Sequence, residues 1–212
     1  MRKMTTSQKN RQSKKVSNQS WVLWGPFLFS LFFLSQAFAE SVSGTPIIVS
    51  ASVPQGLTLE LEIVDQLSGA QRPSLDFEEL IRVGNELRSA RFFKVFLKVN
   101  AAGDPMELTQ IGTPLTRNSG PEAIPNGAYI VKPEYIEADN AGATQPTGST
   151  LGAIGTAVGA RLLFSDPAGS SRVITAIYTL SGDPNTGATD VIPLSQKGGS
   201  YSGTIQFTLT TA

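Results

Sequence analysis

The amino-acid sequence predicts an all-β sandwich of about seven to nine antiparallel strands, and three observations support this class. Apolar side chains recur at every second position in several runs, which is the period of a strand with one buried face. Turn-forming residues separate these runs at short intervals, and the chain contains 20 Gly and 13 Pro. The chain has no Cys, so core packing or partners, and not disulfides, have to stabilise the fold.

Two alternating runs begin the domain, at 46–53 and 57–63, and the acidic residues of the second run fall on its outer face. Residues 74–90 fit either a short helix or a strand followed by a turn. Residues 92–99 place four apolar side chains on one face and alternate Phe with Lys on the other. Residues 106–111 are expected to pair back on this strand as a hairpin.

The second half of the chain continues the pattern of short strands and loops. Residues 129–136 form a strand in which Pro133 indicates an edge or a bend. Small residues at 138–160 predict a long loop that leads into a glycine-rich segment. Residues 172–180 are a strand rich in β-branched residues, and residues 201–212 end the chain with another alternating strand.

The first 39 residues differ from the rest and predict a secretory signal peptide. Residues 1–20 hold six basic side chains and no acidic one, residues 21–34 form an apolar run, and residues 37–39 read Ala-Phe-Ala. These are the three parts of such a signal. The alternative is an uncleaved membrane anchor, but the apolar run has only 14 residues, short of the ~20 that span a bilayer. We therefore expect cleavage after Ala39, transit through the periplasm, no membrane attachment afterwards, and a final location at the cell surface or outside the cell.

The segment that remains after cleavage, residues 40–212, is one domain in length and acidic. It holds all 17 acidic residues but only 11 of the 17 basic ones, so its net charge is −6. This argues against nucleic acid as a partner. The absence of His and Cys excludes Ser-His-Asp catalysis, Cys nucleophiles and the usual zinc ligands. The sequence therefore predicts a protein that is not an enzyme and that uses no metal or other cofactor.

Two groups of oxygen-bearing side chains are candidates for a calcium site and for a catalytic carboxylate pair, but the sequence favours neither site. The loop at 181–190 includes Asp183 and Asp190 at a spacing that suits calcium, but it lacks the EF-hand pattern and its bidentate Glu. Turn-forming residues explain this loop equally well. Glu78 and Glu79 are adjacent, and neighbouring residues of a strand point to opposite faces, so they do not form a catalytic pair of carboxylates.

The stretch PIIVSASVPQGLTLELEIVD, residues 46–65, leaves two arrangements open. Residues 53–56, Val-Pro-Gln-Gly, suit a type I turn, which closes a hairpin when a bulge follows. In the other arrangement, the first run leaves its own domain and fills a groove in a neighbouring subunit. Its alternate apolar residues would then fill the groove: Ile47, Val49, Ala51 and Val53.

Two segments resemble a known family. IIVSASVPQGLTL at 47–59 and YSGTIQFTLTT at 201–211 resemble the major pilins of the alpha-type, colonisation-factor chaperone–usher fimbriae, and more distantly the spore coat U and archaic pilin domains. Alpha-type pilins manage without disulfides, as this chain does, whereas the spore coat U group usually has Cys. Both groups are exported immunoglobulin-like β-sandwiches, so the resemblance implies that fold, incomplete in one subunit and completed by a donated N-terminal strand.

The resemblance also implies a domain plan and a site. Residues 1–39 would be the signal peptide, residues 40–56 an N-terminal extension or donor strand, and residues 57–212 the sandwich. The donor residues would be Ile47, Val49, Ala51 and Val53, and the acceptor groove would be lined by Ile205, Phe207 and Leu209. Identical or related subunits would be the partners through β-strand addition, with a periplasmic chaperone covering the free subunit.

The expected function is therefore that of a structural subunit of a fimbria-like or pilus-like surface fibre, assembled by donor-strand exchange. The alternative is a self-contained secreted β-sandwich that binds a glycan or a protein at the cell surface. The fate of residues 40–56 distinguishes the two, because only the first function requires this segment to pair with a neighbouring subunit.

Overall fold

A computed structural model describes residues 42–44, 46–52, 57–101, 103–136 and 146–211, all of which belong to the unit Phe38–Ala212. The predicted signal peptide and the predicted turn at 53–56 lie outside the described residues. In the part of the chain that is described, no helix is both long enough and apolar enough to cross a membrane.

The described residues form strands and two short 3-10 turns. The strands are β1 (Val42–Gly44), β2 (Ile48–Ser52), β3 (Thr58–Asp65), β4 (Gln71–Arg72), β5 (Ile81–Val83), β6 (Glu86–Arg88), β7 (Phe92–Asn100), β8 (Met106–Gly112), β9 (Thr116–Arg117), β10 (Tyr129–Ile136), β11 (Thr150–Leu151), β12 (Gly155–Thr156), β13 (Gly159–Asp166), β14 (Arg172–Leu180), β15 (Ile192–Pro193), β16 (Gly199–Ser202) and β17 (Thr204–Thr211). The 3-10 turns are Asn126–Ala128 and Pro184–Thr186. Eight of these strands have five residues or more, which agrees with the predicted number.

Two large sheets form the body of the domain and confirm the predicted all-β sandwich. One sheet has the order β12-β10-β14-β7-β3-β4, and the other has the order β11-β13-β8-β17-β2. Two smaller three-stranded sheets, β1-β16-β9 and β15-β6-β5, complete the described part of the fold. The finer assignment to an immunoglobulin-like sandwich stays a prediction.

Side chains from the two large sheets meet in one core. The rings of Tyr135 on β10 and Phe164 on β13 stack with centroids 5.9 Å apart. The hydroxyl of Tyr178 on β14 donates a hydrogen bond to the Gln110 side chain on β8. Gln110 in turn donates from Nε2 to the carbonyl oxygen of Ala157 at 2.9 Å, so both the oxygen and the nitrogen of this buried amide have partners.

The alternation predicted for β7 is confirmed. Its four inward side chains are almost fully buried: Phe93, Val95, Leu97 and Val99. On the opposite face Phe92 is 41% exposed and Phe96 is half-buried. Pro133 also lies where the sequence predicts an edge, because β10 pairs with β14 along its whole length but with β12 only at Ile130 and Val131.

The predicted hairpin between β7 and β8 is wrong. β7 pairs with β3 and β14, whereas β8 lies in the opposite sheet between β13 and β17. Both strands bury every second side chain on one face, and the chain turns between them so that the two buried faces meet across the core. For residues 74–90 the sequence allows either a short helix or a strand followed by a turn. Neither describes the whole segment, because it holds the short hairpin β5–β6 and no helix.

Two ladders are parallel where the sequence predicts an antiparallel fold. β1 pairs in parallel with β16, and β2 pairs in parallel with β17. Parallel neighbours need a long connection, and here almost the whole domain lies between the partners. No tight turn therefore constrains the direction in which the first strands run.

Candidate functional site: the N-terminal strap and its acceptor strand

The first described residues, 42–44 and 46–52, lie across the sandwich as an extended segment that we call the N-terminal strap. β2, the C-terminal part of the strap, is an edge strand and pairs with β17. In this parallel ladder Val49 lies opposite Ile205, and Ala51 lies opposite Phe207. The structure thus brings two predicted donor residues beside two predicted acceptor residues, within one chain.

The predicted donor residues are buried to very different degrees. Ile47 is 1% exposed, Val49 is partly buried against the core, and Ala51 is exposed. Val53 lies outside the described residues. Ile48, on the opposite face of β2, is 65% exposed. Among the strap side chains whose burial is described, that of Ile47 alone is fully buried.

The predicted acceptor residues are all in the core. Ile205, Phe207 and Leu209 have no exposed surface. β17 is held on its other side by β8 from Ile205 to Thr211, so the acceptor strand does not depend on the strap for its position. Among the described residues, the ladder with β2 covers only Thr204 to Thr208, which leaves Leu209 beyond the end of that pairing.

Backbone hydrogen bonds attach the strap at two further points that sequence reasoning missed. Ile47 and Leu75 exchange hydrogen bonds in both directions, with N···O distances of 3.0 and 3.3 Å. The amide of Gly44 donates to the carbonyl oxygen of Glu78 at 2.9 Å. β1 is only three residues long, too short for an alternation to be recognised, so no sequence signal marks these contacts.

The segment that receives the strap, residues 75–78, is held by an ion-pair network centred on the buried carboxylate of Asp65. The carboxylate of Asp65, which is fully buried, pairs with Arg91. The guanidinium of Arg91 also reaches Glu78 Oε1 at 2.8 Å. Glu78 has a φ of +52°, a left-handed conformation that is costly for a residue with a side chain. The Asp76 carboxylate supports it by accepting a hydrogen bond from the Glu78 amide at 3.0 Å.

Burial and hydrogen bonding act in opposite directions on Asp65. Burial raises the pKa of its carboxyl group, but hydrogen bonds from Ser68 Oγ at 2.8 Å and from the Leu67 amide at 2.9 Å lower it, as does the nearby Arg91. The pKa ends below its ordinary value. Asp65 is therefore ionised at neutral pH and holds the Arg91 side chain in place beside Glu78.

The acidic side chains of the loop at 181–190, set aside on sequence grounds, make contacts within the protein. Asp183 accepts from the Asn185 amide at 2.9 Å and lies 3.3 Å from Arg88 Nη1. Asp190 accepts from the Gly127 amide at 3.0 Å. Within the described ranges, no group of three or more His, Cys, Asp or Glu side chains is arranged to hold a metal ion.

Comparison with known proteins adds no relative to this picture. No protein-family model matches the chain, and the search of curated proteins likewise finds no significant match. The candidate site therefore rests on the geometry of the strap, of β17 and of the Asp65 network.

Proposed function

We propose that this protein is a structural subunit of a surface fibre, in which the N-terminal strap leaves its own sandwich and pairs with β17 of the next subunit. The observation that carries the proposal is the ladder that sets Val49 beside Ile205 and Ala51 beside Phe207. A ladder formed within one chain is available between two chains as well, because the same surfaces meet in both cases.

The energetics of the strap favour exchange. Burying a side chain such as Ile47 is worth about 1.5–3 kcal/mol, whereas Val49 is only partly buried and Ala51 is exposed. The strap thus has one strong anchor, a five-residue edge ladder and the three-residue ladder of β1 with β16, a small set of contacts for a segment that is to detach. Exchange between subunits recreates every contact that it breaks.

The geometry of such an exchange leads to a filament. The donating surface is the strap and the accepting surface is β17 with Leu75, so the contact is heterologous. A heterologous contact that does not close into a ring extends indefinitely. A subunit whose strap is detached exposes the edge of β17 and the site of Ile47, which is an aggregation hazard. We therefore expect a chaperone to bind the subunit during its transit through the periplasm.

A self-contained secreted sandwich that binds a glycan or a protein at the cell surface is the second candidate function. The pairing of the strap within its own chain favours it, since a fold completed in this way needs no neighbour. The two candidates differ in one respect: the fibre subunit exchanges its strap between chains, and the self-contained domain does not.

The test compares the protein that starts at residue 40 with a version that starts at residue 57, by size exclusion and electron microscopy. We expect rods or ladders from the first version and none from the second. Because the shorter version loses the Ile47 anchor, a synthetic peptide of residues 40–56 is added to it in a parallel sample, where we expect folded monomer and no rods. A first version that stays monomeric at high concentration would contradict the fibre and leave the second candidate.

A further inference from the structure

An apolar pocket of about 300 Å³ opens on the outer face of the β10–β14–β7 sheet. Three of its lining residues form one row across the strands, because Ile130 lies opposite Thr179 and Thr179 lies opposite Phe92. Ile177 lies two residues before Thr179 on β14 and therefore on the same outer face, and Ile154 lines the pocket from the position just before β12. An outer face of a sandwich is normally polar, so this apolar concavity is unusual.

The wall of the pocket is formed in advance of any ligand. Ile154 lies so close to Gly187 that a Cβ at position 187 would be 2.8 Å from its Cδ1 atom, and Gly187 has a φ of +87°. The neighbouring turn Pro184–Thr186 is held by Asp183, which caps the turn and pairs with Arg88 at 3.3 Å. A concave, mostly apolar and preformed site is typical of a small-molecule pocket.

Polar groups at the pocket point to an anionic head group. Lys132 and Asn185 line it together with the apolar residues, and an ammonium and an amide are hydrogen-bond donors. Lys132 Nζ pairs with Glu134 Oε1 at 2.8 Å, which offsets its charge. An ammonium has three N–H donors, and the Lys132 side chain is 53% exposed, so its other donors can reach a ligand from solvent. Phe92 and Ile154 are 41% and 44% exposed, which leaves apolar surface at the rim for the body of the ligand.

We propose that this pocket binds a small amphiphile with a compact apolar body and a carboxylate head. The apolar body contacts Phe92, Ile154 and Ile177, and the carboxylate accepts hydrogen bonds from Lys132. At the roughly 30 Å³ that a water molecule occupies in the liquid, the cavity has the volume of about ten waters, which suits a compact ligand. This binding site is independent of strand exchange and goes beyond the proposed function.

The test titrates the protein with octanoate, and with 1-octanol as its uncharged analogue, and follows backbone amide shifts by NMR. We expect saturable shifts at Ile130 and Ile177 with both ligands. Lys132→Gln should weaken octanoate binding about fivefold, as expected for one partly exposed charge contact, and leave octanol binding unchanged. Lys98→Gln is the matched control, because Lys98 lies on the same face and pairs with Glu62 at 3.6 Å, and it should change neither affinity.

Three results would overturn the proposal. The first is the absence of saturable shifts at the pocket with either ligand. The second is an equal loss of octanoate affinity in Lys132→Gln and Lys98→Gln, which would mean that general surface charge attracts the anion. The third is a shift of the pocket amides with protein concentration alone, which would show that a second copy of the chain covers the pocket.

Discussion

Ile47 and Leu75 exchange two backbone hydrogen bonds, and both side chains are buried in the core. This pair anchors the N-terminal strap between its two parallel ladders, β1 on β16 and β2 on β17. Among the strap side chains whose burial is described, Ile47 is the single deep point of attachment, and the others are half-buried or exposed. The stability of the folded subunit and the exchange of the strap both depend on this point.

The first prediction concerns the anchor itself. Ile47→Ala should lower the free energy of unfolding by about 2–4 kcal/mol, because it removes buried methyl groups and leaves a cavity. Ile48→Ala is the control, since Ile48 is 65% exposed, and should change it by less than about 0.5 kcal/mol. Denaturant unfolding of the monomer measures both values. Equal losses in the two variants would mean that Ile47 is not the anchor.

The second prediction concerns acid. The pKa of Asp65 is lowered in the folded protein, so its contribution to stability is present above the pKa of the unfolded state, about 3.9, and is lost as pH falls through the folded value. Asp65→Asn should destabilise the protein by roughly 1 kcal/mol at pH 7, because Arg91 loses one ionic partner and keeps Glu78. It should also flatten the loss of stability in acid.

Denaturant unfolding at a series of pH values between neutral and strongly acidic measures this effect. Glu107→Gln is the control, since Glu107 is exposed and its removal should leave the acid dependence unchanged. If Asp65→Asn had the same pH profile as the unchanged protein, the Asp65 network would not stabilise the segment that receives the strap.

The third prediction concerns the polar bridge between the sheets, which is the pair of hydrogen bonds that joins Gln110 to Tyr178 and to Ala157. Gln110→Leu should cost about 1–3 kcal/mol, because the Tyr178 hydroxyl and the Ala157 carbonyl oxygen lose their partner in a buried site. Tyr178→Phe removes one hydrogen bond and leaves the bond to Ala157 intact, so its cost should be smaller. Thermal unfolding compares the two variants, and the reverse order of stability would contradict this account of the bridge.

The fourth prediction concerns alkaline pH. Burial raises the pKa of Tyr178 and of Tyr129 well above the ordinary value of 10. Stability from a raised pKa is present below the unfolded pKa and is lost as pH rises towards the folded value. We therefore expect both tyrosines to stay protonated in the folded protein and the free energy of unfolding to fall above about pH 10. An ultraviolet titration in which all four tyrosines ionise together before unfolding would contradict this.

The fold class and the inner faces of the long strands could be predicted from the sequence, because a period of two needs only local residues. The burial of Phe93, Val95 and Leu97 on β7 follows directly from that period. The sheet to which each strand belongs could not be predicted in this way. β7 and β8 have the alternation of a hairpin and also of two strands that face each other across a core, and the structure has the second arrangement.

The candidate site was predictable in part for the same reason. The alternation marked Val49, Ala51, Ile205 and Phe207 as strand residues, and the resemblance to the alpha-type pilins implied that one strand donates and the other accepts. In the structure these residues lie side by side in one ladder. Neither the parallel direction of the ladder nor the anchoring of Ile47 on Leu75 leaves a local pattern in the sequence. The Asp65–Arg91–Glu78 network is equally invisible, because its members are distant in sequence and their types are common on surfaces.

The central claim is that the strap exchanges between chains, and disulfide cross-linking tests it most directly, because the chain has no native Cys. Ser50 lies opposite Gln206 in the β2–β17 ladder, and both side chains are exposed. The measurement mixes Ser50→Cys protein with Gln206→Cys protein under assembly conditions, oxidises the mixture, and counts mixed dimers. A mixture of Ser50→Cys with Thr210→Cys is the control, since those positions are four residues out of register.

Our account predicts disulfide-linked dimers in the first mixture and few in the second. If only the double variant Ser50→Cys/Gln206→Cys forms a disulfide, within one chain, the strap stays in its own sandwich and the account is contradicted.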